Sequence, residues 1–411
     1  MAPSAAAAEV HRRVADLPSP LRSAALAWLQ PEPELAAAVA RGATRVGAPL
    51  AGIPCLAKDL YDIAGVPTYA GSTFLPMVRP TPGNSRLITR LGELGASVAG
   101  KTHLVEFASG LTGENPHYGD CPHPLFPDRL SGGSSSGSAA LVAAGVVPFA
   151  LGTDTGGSVR VPAAFCGLYG FRLTPGDEFI RDAFPLSPTM DTAGWFTANA
   201  TDLLSSWQAL TGGSGETRRE PRGCYLPGRA LLPDMDPTLD VTCSRAAAVF
   251  SQRADAATQD QLLSDWHDNL TSYVTIGMSE AYSVHQAWLE NYRQEYDQVI
   301  WQRFTDAGRM PVEQIGAARA NLQAVRQGWN SFFRTHDFLV LPCAPFPALR
   351  KSECTPEARR GILTLTAPAS LGGLACLTIP VSLGDGLTAG LQVILPRPDS
   401  PAVEWILRKC L

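Results

Sequence analysis

The chain has 411 residues, 45% hydrophobic and 17% charged, and a formal net charge of −5. This is ample apolar material for a large core and too little charge for a disordered chain. The acidic balance, with no Lys/Arg run longer than two residues, argues against nucleic acid and anionic membranes as partners.

The first residues are Ala-rich, then charged at Glu9, Arg12 and Arg13, with no apolar run of signal-peptide length. The longest apolar stretch, 139–152, contains Pro148 and is short for a membrane span. A soluble, cytoplasmic protein is therefore expected. Nine cysteines without a Cys-x-x-Cys pair fit reduced, buried thiols better than a disulfide framework.

Residues 5–45 read as helices broken near Pro18 and Pro31. Residues 53–57 form a short apolar run that reads as a buried strand delivering Lys58 at its end. Helical periodicity over 84–94 is followed by an apolar strand at 96–100, and helix then strand recurs at 138–145 and 146–152. The alternation predicts an α/β layered fold with a parallel or mixed sheet. Residues 211–223, rich in Gly, Pro and Arg, read as an exposed loop, and 238–335 as mostly helical. Within the latter, Trp288, Tyr292, Tyr296, Ile300 and Phe304 recur every four residues, as one stripe on a helix. Core packing is the first reading of that stripe and a substrate-pocket wall the second. Strand character returns at 338–341, 376–381 and 391–395. Both ends of the chain are expected to complete one sheet.

Two Gly/Ser loops dominate the chemistry: Ser131-Gly-Gly-Ser-Ser-Ser-Gly-Ser138, leading into an apolar helix, and Gly152-Thr-Asp-Thr-Gly-Gly-Ser-Val-Arg160, after an apolar strand. Glycines allow backbone N–H groups to converge on one point, which suits an oxyanion, and a serine beside such a nest is placed to attack the carbonyl it holds. A serine hydroxyl needs a base. No histidine stands near either loop's end; a lysine can serve if burial lowers its pKa from about 10.4. Lys58 fits that description, and Lys101 fits it less specifically.

These residues resemble the amidase signature enzymes. Pro49-Leu-Ala-Gly-Ile-Pro-Cys-Leu-Ala-Lys-Asp59 is similar to that family's lysine-bearing segment. Residues 129–139 are similar to its Gly-Gly-Ser-Ser-Gly-Gly-Ser element, with Ser136 in place of a glycine, and 152–160 to its nucleophile loop. Ser134 and Ser158 lie 24 residues apart, the family spacing. Gly100-Lys-Thr-His-Leu-Val-Glu-Phe107 resembles a further segment, with His103 where asparagine is common. The likeness is strong over 49–195, weaker over 279–346 and 364–395, and slight over 1–48 and 205–278.

The resemblance implies an α/β fold, a twisted mixed sheet covered by helices on both faces, as a single amidase domain over 1–411. Its parts would be a signature core at 49–200, a variable, mostly helical region at 205–335, and a completion of the sheet at 336–411. It implies that Ser158 attacks the amide carbonyl and that Ser134, joined to Gly133 by a cis peptide, relays its proton to Lys58. It also implies an oxyanion hole made of the backbone N–H groups of Thr155, Gly156, Gly157 and Ser158. Gly133, Asp154 and Arg160 would support the loops, and Ser135 and Ser138 would be structural. No cofactor or metal is expected; the partner is a small-molecule amide, with a homodimer as the assembly considered. The segment 192–199 lacks an arginine common in the family, and Arg172-Leu-Thr-Pro175 replaces its Lys-Pro-Thr, which leaves the substrate open.

Other readings compete. Residues 133–137 also match the Gly-x-Ser-x-Gly elbow, which would make Ser135 the nucleophile, but the preceding 122–129 is too Pro-rich to supply the required strand. His117, Cys121 and His123 offer metal-ligand chemistry without an evident fourth ligand. A glutaminase subunit of a tRNA-dependent amidotransferase and a non-catalytic amidase-like scaffold are the alternatives at the level of function.

Overall fold

The apolar runs at the centre of the chain lie side by side because each is too short for a helix and apolar enough to be covered on both faces. In the computed structural model, which describes residues 3–215 and 219–411, eleven strands form one mixed sheet. They are β1 (Leu26–Leu29), β2 (Pro54–Lys58), β3 (Ser97–Thr102), β4 (Phe149–Asp154), β5 (Tyr169–Arg172), β6 (Thr192–Thr197), β7 (Gly223–Tyr225), β8 (Gln252–Arg253), β9 (Phe338–Pro342), β10 (Ala375–Ser382) and β11 (Thr388–Leu395). Their order is β1-β3-β2-β4-β6-β5-β10-β11-β9-β7-β8. β2 runs parallel to both β3 and β4, while β4, β5, β6, β10 and β11 pair antiparallel along the middle.

The period-2 alternation of the C-terminal strands shows that both faces are buried. Leu391, Val393 and Leu395 of β11 and Leu377, Ile379 and Val381 of β10 enter one core with Trp195 and Trp207. Ile394 and Cys376 point the other way, toward Ile362, Leu371 and Trp329. The parallel register that pairs Ala57 with Leu151 brings Lys58 and the 152–160 loop to the same edge. Crevices at the carboxyl ends of parallel strands are where such folds place ligands.

The expected elements at 84–94, 138–152, 338–341, 376–381 and 391–395 are present with shifts of a few residues at their ends. Three features differ. First, the segment read as helical over 5–45 contains β1, which pairs with β3 by placing Trp28 opposite Lys101 and Leu29 opposite Gly100. Gly100 is what permits this pairing: a Cβ there would collide with the Trp28 carbonyl. Second, β7 and the edge strand β8 lie within or beside stretches read as loop and helix; at three and two residues they are too short to show a period. Of the loop expected at 211–223, residues 216–218 lie outside the described residues.

Third, the aromatic stripe does not lie on one helix. One helix ends at His285, a 3₁₀ turn occupies Arg293–Glu295, and a new helix begins at Gln298. The break is local chemistry: the Asp297 carboxylate accepts the N–H groups of Val299 and Ile300 and caps the second helix. Tyr296, Ile300 and Phe304 still meet in one apolar cluster, with Trp288 and Tyr292 packed against it, so the packing reading holds although the geometry behind it does not.

The Gly100→Ala variant should lose about 1–3 kcal/mol of unfolding free energy by forced overpacking at the β1–β3 pairing, read by urea denaturation. A change below about 0.5 kcal/mol would show that β1 yields without strain.

Candidate active site

Lys58 ends β2 fully buried. Its Nζ donates to Ser134 Oγ and to Thr153 Oγ1, each at 2.8 Å. Burial lowers its pKa to about 7, against the opposing pull of the Asp154 and Asp191 charges. The two acids next to it in sequence face elsewhere: Asp59 pairs with Lys101, and Asp62 with Arg79 at 2.6 Å. Lys101 is thus held by a carboxylate as well as by Thr68 Oγ1. Of the two lysines the sequence left open, only Lys58 touches a loop serine.

Ser134 is buried and follows a cis peptide from Gly133. Val105 N–H donates to the Ser134 carbonyl at 3.1 Å and Gly133 N–H to that of Leu111 at 2.8 Å, so the segment after β3 frames this loop. Ser135 Oγ donates to the Thr153 carbonyl and Ser138 Oγ to that of Leu151, joining the first loop to β4. Both hydroxyls are committed to backbone. Only two isolated bridges, Pro122 with Leu130 and Arg129 with Arg350, immediately precede the 133–137 element, so the strand that a nucleophile elbow needs is missing.

The second loop is organised by Asp154, whose carboxylate accepts the N–H groups of Gly157, Val159 and Arg160. Burial opposes its charge, but the Arg160 and Arg172 guanidiniums outweigh that penalty and hold it well below the usual carboxylate range. The engagement of Gly157 corrects the four-donor expectation: its N–H, 2.8 Å from Asp154 Oδ1, is already occupied. The N–H groups of Thr155, Gly156 and Ser158 have no acceptor among the described residues. Ser158 is buried at 3% exposure, and its hydroxyl likewise makes no hydrogen bond among them. The structure thus joins two of the three expected catalytic side chains directly and leaves the third at the mouth of a loop with three open donors.

Several contributors were missed by sequence reasoning. Asp191 accepts from Thr155 Oγ1 at 2.5 Å and from the N–H groups of Leu186 and Ser187. It immediately precedes the segment 192–199 that was compared with the family. Thr366 Oγ1 donates to the Gly156 carbonyl at 2.6 Å, and a Cβ on Gly156 would collide with Tyr273 Oη; neither residue has a local pattern that marks it. Arg172, noted as a departure from the family's lysine, is the second cation on Asp154 at 2.8 Å. Of the possible metal ligands, His117 bonds Glu106, while His123 uses one ring nitrogen on the Phe165 carbonyl and the other on two backbone N–H groups. These rings are occupied by the protein itself.

A mixed sheet thus brings two Gly/Ser loops to the end of the strand that carries a buried lysine. The chain belongs to the amidase family, whose family model matches residues 8–222. It is similar to AtzE, the 1-carboxybiuret hydrolase subunit of Pseudomonas sp. (strain ADP), at 30% identity over 399 residues, 91% of this chain and 85% of that protein. It is also similar to a glutamyl-tRNA(Gln) amidotransferase subunit of Methanosarcina acetivorans, at 30% identity over 86% of this chain and 83% of that protein. A crystal structure of an amidase superposes with a TM-score of 0.84 at 29% identity, covering 98% of this chain and 95% of that one. The family match begins at residue 8, well before the first motif. The N-terminal helices pack on the same core as the helix Ser136–Ala143. Among the described residues no helix is long and apolar enough to cross a membrane.

The lowered pKa of Lys58 has a thermodynamic consequence. Between pH 7 and about 10 the unfolded chain holds a proton on this lysine that the folded chain does not. Over that window the unfolding free energy should rise with pH by about 1.4 kcal/mol per unit relative to Lys58→Met. Denaturation at three pH values measures it; parallel profiles would mean that Lys58 titrates at its ordinary value.

Proposed function

We propose that this chain hydrolyses a small-molecule amide through an acyl-serine intermediate, with Lys58, Ser134 and Ser158 as its catalytic residues. Neutral Lys58 takes the proton of Ser134 as Ser134 takes that of Ser158. Ser158 Oγ bonds to the carbonyl carbon, and the carbonyl oxygen gains the negative charge. The proton returns by the same path to the leaving nitrogen, the carbon–nitrogen bond breaks, and amine or ammonia departs. Water then repeats the attack on the ester and releases the carboxylic acid and the Ser158 hydroxyl. The N–H groups of Thr155, Gly156 and Ser158 face the developing charge, with Asp154 and Arg160 holding the loop and Gly133 its neighbour.

The observation that carries this reading is the state of Lys58. A buried amine with a pKa of about 7, in contact with Ser134, is a base at neutral pH, where an exposed lysine would be protonated. The whole of 1–411 acts as one amidase domain in this proposal, because Arg160 is held by groups from both halves of the chain: Asp154, Thr366, Ser370 and Gln392. All nine cysteines are free thiols, which suits a reducing, cytoplasmic setting.

The similarity to an amidotransferase subunit favours a second reading, in which the ammonia released is delivered to a partner complex. Ammonia released by the isolated chain from simple primary amides, without partner proteins or tRNA, selects the free-standing amidase; turnover of glutamine only in a partner's presence selects the other.

The mechanism predicts that kcat/KM rises with pH along a limb of midpoint near 7. Lys58→Ala should cut the rate by about 10²–10⁴, and Lys58→Arg should not restore it, because guanidinium stays protonated. A fluorophosphonate probe should label Ser158. Peptide mapping that placed the adduct on Ser135, or a Lys58→Arg enzyme of wild-type rate, would overturn the assignment.

A further inference from the structure

The Gly156–Gly157 peptide stands between two of the three open donors of the second loop. On one side is the peptide that carries the Gly156 N–H, and on the other the peptide that carries the Ser158 N–H. The latter is fixed by its own carbonyl, since that of Gly157 accepts from Val161 N–H at 2.7 Å. The former follows Thr155, whose hydroxyl is tied to Asp191. The middle peptide joins two residues without a Cβ, and Gly157 holds a φ of 128°, so local sterics leave its tilt free. Two hydrogen bonds set it instead. Gly157 N–H donates to Asp154 Oδ1 at 2.8 Å, and Thr366 Oγ1 donates to the Gly156 carbonyl at 2.6 Å. The N–H and C=O of a trans peptide point to opposite sides, so this plane is held at both ends, by the end of β4 and by the helix Pro356–Gly372.

A threonine inside a helix commonly turns its hydroxyl onto the carbonyl four residues back. That acceptor, Ile362, is present at 3.1 Å, but the single hydroxyl proton has its shorter contact with Gly156. Thr366 is fully buried, so bulk solvent offers its hydroxyl no other acceptor. Its backbone is also a firm support. Pro368 removes one N–H from the ladder of this helix, and side chains take the carbonyls around it. Gln392 Nε2 donates to Leu365 at 2.8 Å, Arg160 Nη1 to Thr366 at 2.9 Å and Trp329 Nε1 to Pro368 at 2.9 Å.

We propose that Thr366 is a positioning residue for the oxyanion hole. Its hydroxyl sets the tilt of the Gly156–Gly157 peptide, and with it the directions of the Gly156 and Ser158 N–H groups on either side. Thr366 itself touches no reacting atom. The proposal rests on the amide-hydrolase reading above and adds to it a residue 210 positions from the peptide it holds. Without the hydroxyl the plane is held at one end only. Donors aligned for the tetrahedral oxyanion then lose that alignment, while ground-state binding, which does not use it, is kept.

Thr366→Val and Thr366→Ala remove the hydroxyl, Thr366→Ser keeps it, and all three keep the backbone carbonyl on which Arg160 rests. Butyramide and benzamide are the substrates, with the trifluoromethyl ketones of the same acyl groups as inhibitors. The Val and Ala variants should lower kcat by about 10- to 100-fold, short of the loss of about 10²–10³ for an oxyanion donor itself. KM should stay within about threefold of wild type in both, and kcat within about threefold in Thr366→Ser. The ketone adds to Ser158 as a tetrahedral oxyanion, so its inhibition constant should rise by the factor by which kcat/KM falls. That constant does not depend on how much of the protein is folded, so a loss of fold alone would not move it. Hydrogen exchange over 154–161, read by mass spectrometry, should quicken in the Val and Ala variants and not in Thr366→Ser. Equal losses in Thr366→Ser and Thr366→Val, or an inhibition constant that neither Val nor Ala moves, would overturn the positioning role and leave the hydrolase reading standing. Exchange unchanged in all three variants would overturn it too, with or without turnover. Quicker exchange in Val and Ala alone, in a protein that hydrolyses no amide and binds no ketone, would uphold the hold on the peptide and overturn the hydrolase reading.

Discussion

A buried amine whose pKa is lowered to about 7 is the constraint on which the centre of this protein depends. Burial alone would achieve it, but any carboxylate brought into contact would restore the charge. The structure meets this by giving each nearby acid its own partner. Asp59 is paired to Lys101 and Asp62 to Arg79. Asp154 is enclosed by two arginines, and Asp191 by one hydroxyl and two backbone N–H groups. What Lys58 touches instead is two hydroxyls, Ser134 and Thr153. These can accept a hydrogen bond from the amine without requiring that it be charged.

The same need for partners explains why the loop that carries Ser158 draws on the far end of the chain. Asp154 could not remain ionised in the sheet's interior without Arg160 and Arg172, and the remaining donors of those arginines need acceptors of their own. Gln392 of β11, the Thr366 carbonyl and Ser370 supply them for Arg160, and Ser370 accepts from Arg172 as well, whose Nε and Nη2 find no acceptor among the described residues. Gln392 also donates to the carbonyls of Pro342 and Leu365. A polar network this buried is stable only when nearly complete, since each unsatisfied group costs about 1–3 kcal/mol. The C-terminal strands thus complete the polar network beneath the loop as well as the core.

This dependence sets what could be read in the sequence. Local chemistry pointed to a lysine at the end of a short apolar strand and to serines in two glycine-rich loops, and it was the resemblance to the amidase signature enzymes that singled out Lys58, Ser134 and Ser158 among them. The strands β4, β9, β10 and β11 were legible because a short apolar run between turn signals has few alternatives. Tyr273, Thr366 and Gln392 were not, because their roles arise only when distant segments are packed. The stripe at 288–304 shows the opposite failure. Its spacing is helical, but the chain meets it through a turn and a capped restart at Asp297, and a periodicity count does not see a break that preserves the period. The fourth oxyanion donor failed for a related reason: loop position predicts where the Gly157 N–H points, not that Asp154 has already engaged it.

The catalytic residues and the helices packed about them come from different parts of the chain. Lys58, Ser134 and Ser158 belong to the 49–200 segment: Lys58 ends β2, Ser134 lies in the loop before the helix Ser136–Ala143, and Ser158 in the loop after β4. Tyr273, Arg303 and Arg359 are carried by helices outside it. A substitution at Gly156 meets Tyr273, and one at Gly157, whose φ is 128°, is strained by its own backbone. The loop's shape is thereby pinned by steric and hydrogen-bonding demands that leave little choice of residue. Gly156 is the point at which the two sets meet, touched by Tyr273 and Leu363 and hydrogen-bonded by Thr366. A change of substrate that moved these helices would therefore be felt first at the donors that face the reacting carbonyl.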